Sequence, residues 1–95
     1  MSDYILIGID PYEQPSVDRI YKFKCYKDAY DFIEQWLKDQ FDKNNYKKQN
    51  RVKDNFINNY LNYFKNNRYI HFNSYHIIHQ NHSQSYDYKW QLFQL

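Results

Sequence analysis

Apolar residues recur along Lys27 to Phe41 at helical spacing. Ala29, Tyr30, Phe32, Ile33, Trp36, Leu37 and Phe41 follow the i, i+3, i+4, i+7 rule, and at about 100° per residue they fill one broad arc. Asp28, Asp31, Gln35, Lys38 and Asp42 fill the opposite arc. The pattern predicts an amphipathic helix that brings one of the chain's two tryptophans to a core. Asp28 is the expected N-cap, and Asp31 suits the positive end of the helix dipole. The helix should stop near Asp42 to Asn45, before a polar, turn-like stretch from Lys43 to Gln49. A second helix is predicted from about Asn50 to Asn66. Phe56, Ile57, Tyr60, Leu61, Tyr63 and Phe64 lie on one arc of it, and Asn55, Asn58, Asn59, Asn62 and Asn66 on the other. Asparagine is a mediocre helix former, so this helix depends on packing.

The two ends of the chain alternate instead. Tyr4 to Ile9 reads as a first strand that stops at Asp10-Pro11, with Ile5, Ile7 and Ile9 on one side and Tyr4 and Leu6 on the other. Apolar residues on both sides predict a central strand. Gly8, the single glycine, marks a bulge, a close backbone approach, or simply a small residue under a helix; the last is the preferred reading. Asp10 to Ser16 holds both prolines and is a loop. Val17 to Tyr26 then alternates, with Val17, Arg19, Tyr21, Phe23 and Cys25 on an apolar face and Asp18, Ile20, Lys22 and Lys24 on a basic outer face. Tyr69 to Gln80 is rich in strand formers, but its alternation slips at Asn73-Ser74; the firmer strand is placed at Tyr75 to His79. After a turn at Asn81 to Ser85, Tyr86, Tyr88, Trp90 and Leu92 alternate against Asp87, Lys89 and Gln91, the clearest strand of all. The order is β-β-α-α-β-β. It predicts a single α+β domain over residues 1–95, a two-layer sandwich with an antiparallel sheet and a helical hairpin on one face.

Composition sharpens this reading. A chain of 95 residues buries roughly 60–65% of its unfolded surface, and an aromatic content of 22% lets few residues supply the core. Phe, Tyr, Met, Ile, Asn and Lys make up 50 residues; Gly, Ala, Arg and Pro make up 7. The first group is spelled largely by A/T-rich codons, which implies an AT-rich coding genome and the small proteins of phages and large DNA viruses. Net charge is +2, too small to demand a nucleic acid or a membrane. One cysteine allows no internal disulfide and fits a reducing compartment. The opening MSDYILIGID has an acid and no basic segment, and no apolar run approaches the ~18 residues of a membrane helix. The expected location is the cytoplasm, that of a host cell if the source is viral.

Candidate chemistry is sparse. His71, His76, His79 and His82 cluster late but lack metal-ligand spacing, so they are read as exposed strand and turn residues, with no metal or other cofactor expected. Cys25 falls on the predicted apolar strand face, where a thiol is a small buried hydrophobe and not a nucleophile. One glycine in the chain disfavours phosphate-cradling loops. No catalytic motif is recognised, and the expectation is a non-enzyme.

Charge order is more informative. Asp28, Asp31, Glu34, Asp39 and Asp42 precede Lys43, Lys47, Lys48, Arg51 and Lys53, which have no acid among them. Lys43, Tyr46, Lys47, Lys48, Arg51 and Lys53 are therefore the expected partner-binding residues. A surface of two signs suits a host protein, and the chain reads as a virus- or phage-encoded inhibitor or adaptor, for example an anti-defence protein such as an anti-CRISPR. Basic residues beside Tyr46, with Lys22 and Lys24 on the second strand, equally supply the materials for single-stranded nucleic-acid binding. A third reading is a self-associating structural protein, a homodimer for instance, using apolar residues of the open sheet face at Tyr4, Ile20, Ile78 and Phe93.

Overall fold

A computed structural model describes residues 3–10, 16–43, 50–73 and 87–95. Within them the order is β1 (Tyr4–Asp10), β2 (Ser16–Phe23), α1 (Tyr26–Lys43), α2 (Asn50–Asn67), β3 (Tyr69–Asn73) and β4 (Asp87–Gln94). The four strands form one antiparallel sheet in the order β2-β1-β4-β3. The chain is α+β, and β1, apolar on both sides, is an interior strand as its pattern requires. The firmer strand expected at Tyr75 to His79 lies outside the described residues; the described strand is the earlier half, ending at Asn73 where the alternation slips.

One face of the sheet meets both helices. Leu6, Ile70, Phe72, Tyr88, Trp90 and Leu92 from the strands join Ile33, Leu37, Ile57, Leu61 and Phe64 from the helices in one buried cluster. Trp36 lies edge-on to Phe72 at 5.2 Å and to Trp90 at 5.7 Å between ring centroids, so α1 crosses the β3–β4 half of the sheet. Tyr21 and Phe23 of β2 reach Phe32 at 4.7 and 5.8 Å, which ties the other half to the same helix. Burying rings of this size is the main drive for a chain so short.

Three expectations are corrected. First, β2 ends at Phe23, and Lys24 and Cys25 form a bend, so Cys25 is exposed and not on a buried strand face. Tyr26 already belongs to α1, because its ring packs against Tyr4 at 6.2 Å and Phe64 at 6.4 Å. Asp28 is accordingly a first-turn residue and not the N-cap; its charge still favours the dipole. Second, the alternation of β2 breaks. Gly8 pairs with Arg19 but Ile9 pairs with Val17, which leaves Asp18 as an extra residue, a β-bulge. Val17 therefore shares the face of Ile9 and not that of Tyr21. Third, Tyr4 is on the helix side of β1, packed on Tyr26, and not on the open face.

Gly8 combines two of the readings its isolation suggested. It stands opposite the bulge, and a Cβ there would lie 2.5 Å from Tyr88 Oη and 2.8 Å from Trp90 Cζ3. The rings of β4 cross its bare backbone, so the small residue lies under aromatics of the neighbouring strand.

Candidate functional site

α2 passes into β3 through a single residue. Arg68 takes φ 56, a left-handed conformation unusual for a residue with a side chain. Its N–H donates to Phe64 O at 2.6 Å and closes the helix, and its C=O accepts from Leu92 N–H at 2.8 Å and opens the ladder to β4. The guanidinium lies 5.7 Å from the ring centroids of both Tyr4 and Tyr26 and donates to Gln94 Oε1 at 3.1 Å. These contacts offset the backbone cost, which is about 1–2 kcal/mol for an L-residue. The turn lays the helix directly back along the edge strand.

The consequence is an open cleft of about 440 Å³ between α2 and β3, lined by Phe56, Asn59, Tyr60, Tyr63, Tyr69 and His71. Phe56, Tyr60 and Tyr63 sit at helical spacing on one flank of α2, beside the stripe of Ile57, Leu61 and Phe64 that enters the core. Tyr63 meets Tyr69 edge-on at 6.3 Å, and Tyr60 meets Phe56 at 4.9 Å and Phe72 at 5.7 Å. The walls are thus aromatic and mutually braced. Tyr60 Oη accepts from Asn73 N–H at 3.1 Å. Burial holds the Tyr60 phenol above its ordinary pKa; the Asn73 hydrogen bond pulls it down and the charge of Asp87 pushes it up. On the far lip His71 Nε2 lies 3.3 Å from Asp87 Oδ1.

The expected partner-binding residues are placed as follows. Lys43 ends α1, and Arg51 and Lys53 lie at the start of α2. Tyr46, Lys47 and Lys48 lie outside the described residues. The first turn of α2 holds no acid, so two cations occupy the positive end of a helix dipole, where they do not favour helix stability. His76, His79 and His82 also lie outside the described residues, as does Ile78. Among the described residues no three His, Cys, Asp or Glu side chains gather as a metal site requires, and no helix is long and apolar enough to cross a membrane.

Comparison of the chain with known protein families, curated proteins and solved structures finds no match.

Sequence reasoning assigned Phe56, Tyr60 and Tyr63 to the core and Tyr69 and His71 to a strand, and did not unite them. A signal was present. The apolar arc of α2 is wider than the roughly 100° that faces a core, and its excess flank is entirely aromatic. The strand half of the cleft depends on the Arg68 turn and on β3 taking the sheet edge, which no local pattern encodes.

Proposed function

We propose that the protein is a non-enzymatic protein-binding module, encoded by a virus or phage and acting as an inhibitor or adaptor of a host component. In this reading its fold is a two-layer scaffold whose helical hairpin presents the binding surface. The observation that carries it is the α2–β3 cleft, open to solvent and walled by one Phe and three Tyr. Tyrosines in a preformed concave site supply large contact area at low entropic cost, which is the chemistry of interface hot spots. The cations at the start of the same helix, Arg51 and Lys53, then serve an acidic rim on the partner and speed association. An aromatic cleft on a helix whose first residues include two cations also supports the second reading, single-stranded nucleic acid stacked on the tyrosines.

Capture from host lysate by the immobilised full chain, with and without nuclease, separates the two. A nuclease-resistant protein partner, lost on Tyr63→Asp, is the expected result; Tyr63 is 49% exposed, so this change leaves the core intact. Reversing Arg51 and Lys53 to Glu should slow association at low salt while leaving stability equal or slightly higher, since negative charge at the start of α2 favours its dipole. Nuclease-sensitive capture would support the nucleic-acid reading. A partner indifferent to both variants would overturn the assignment of the cleft.

A further inference from the structure

The outer edge of β3 opens into the α2–β3 cleft, and the ladder to β4 fixes which of its backbone groups point there. Leu92 N–H donates to Arg68 C=O, so Arg68 and Leu92 stand opposite each other as a bonded pair. Antiparallel ladders alternate bonded and non-bonded pairs. Ile70 with Trp90 and Phe72 with Tyr88 are therefore bonded pairs too, and Tyr69, His71 and Asn73 turn their N–H and C=O groups away from β4. Asn73 N–H follows this parity, since it crosses the outer side to Tyr60 Oη at 3.1 Å. Among the described residues no strand lies beyond β3. The edge is bounded at both ends. Arg68 spends its N–H on Phe64 and its C=O on Leu92, and Asn73 N–H is held by Tyr60. Tyr69 and His71 lie between, and both line the cleft.

We infer that the cleft binds an extended peptide segment of the partner, added as a further strand along β3. This rests on the reading of the cleft as the protein-binding site and names the chemistry of what enters it. Three observations select an extended peptide. The first is the edge itself. The outward donors and acceptors of Tyr69 and His71 recur at every second residue, and only a chain in strand conformation presents matching groups at that period. The second is the wall. A segment bonded to both residues places one side chain opposite Ile70, on the helix side of the sheet where Ile70 itself points. Phe56, Tyr60 and Tyr63 of α2 flank that position, so the side chain it takes is apolar or aromatic. Its two neighbours fall beside Tyr69 and His71 on the other face, where polar residues are accommodated. The third is charge. No Lys or Arg is among the residues that line the cleft, which weighs against a phosphate backbone running through it. β3 has five residues and is about 17 Å long, so the ladder reads a short segment and the anchoring side chain supplies much of the affinity.

A displayed library of random peptides, selected on the immobilised full chain, tests this. The expected binders share apolar or aromatic residues at alternate positions. N-methylation along a synthetic copy of a selected peptide should weaken binding about ten-fold or more at alternate amides and little at those between, because only one set faces β3. His71→Pro removes a donor on the outer side of an edge strand, where proline is tolerated. It should cost about ten-fold in affinity, and His71→Ala little. Amide exchange reads the fold and the edge together. In the free chain the N–H groups of Ile70 and Phe72 should be protected and those of Tyr69 and His71 should exchange fast; bound peptide should protect the second pair. Tyr63→Asp should abolish binding. Binding that is lost with Tyr63→Asp but shows no alternation along the N-methyl series would leave the cleft as the site and overturn the added strand. Peptides indifferent to Tyr63→Asp would overturn both. Tyr69 and His71 amides already protected in the free chain, or a library that yields no binder, would overturn the inference.

Discussion

Tyr88 Oη donates a 2.7 Å hydrogen bond to Asp18 Oδ2, across 70 residues of chain and over the one intervening strand, β1. The bond exists because the bulge turns Asp18 toward the helix side, where Gly8 leaves room for the Tyr88 ring to pass. Asp18 is also 3.6 Å from Arg19 Nε. A double-mutant cycle of Asp18→Ala and Tyr88→Phe should give a coupling of about 1 kcal/mol. It should fall short of a fully buried charged bond, because the Asp18 side chain is 47% exposed and screened by water. Chemical denaturation of the four proteins measures it; additive effects would show that the bulge stands without this bond.

Gly8→Ala places a methyl group 2.5 Å from Tyr88 Oη and 2.8 Å from Trp90 Cζ3. The hydroxyl is held by Asp18 and the indole is fully buried, so neither yields cheaply. The expected cost is roughly 1–3 kcal/mol, the range for overpacking a core. That outweighs the gain of about 0.5–1 kcal/mol from removing glycine's freedom in the unfolded chain. A variant as stable as wild type in urea would mean that the two rings can move apart.

Trp36 packs against Phe72, Tyr88 and Trp90 at 5.2, 5.5 and 5.7 Å. Trp36→Ala should therefore cost roughly 3–5 kcal/mol, as deletion of a large core aromatic does. Thermal and urea unfolding would check it, and a loss below about 1 kcal/mol belongs to a surface position.

Stability should decline at alkaline pH through Tyr60. Its phenol is held above the ordinary value of 10.0, chiefly by burial, so the folded protein keeps the proton where the unfolded chain has released it. That contribution is complete below about pH 10 and is lost as pH rises through the folded pKa. Tyr26 and Tyr30 shift in the same direction, again chiefly by burial. Urea unfolding of wild type and Tyr60→Phe at about pH 8 and pH 10.5 tests this. The variant should lose less stability between the two, and parallel losses would exclude Tyr60 as a source of the alkaline limb.

What the residues determined alone was local and periodic. A helical period between Lys27 and Phe41 produces α1, and strict alternation around Trp90 produces β4, because burying one face of a helix or strand needs nothing beyond the spacing of apolar residues. The central place of β1 was legible for the same reason. The tertiary structure decided what depends on pairing between distant segments. The bulge at Asp18 exists only against Gly8, and Val17 changes face with it. Cys25 left the strand because Tyr26 found Tyr4 and Phe64 and began the helix early. The cleft needed the left-handed Arg68, held by two tyrosine rings and Gln94, to set Tyr63 beside Tyr69. A one-residue change of register reverses every side chain beyond it, and register is settled by partners far away in the chain, not by the pattern of either strand.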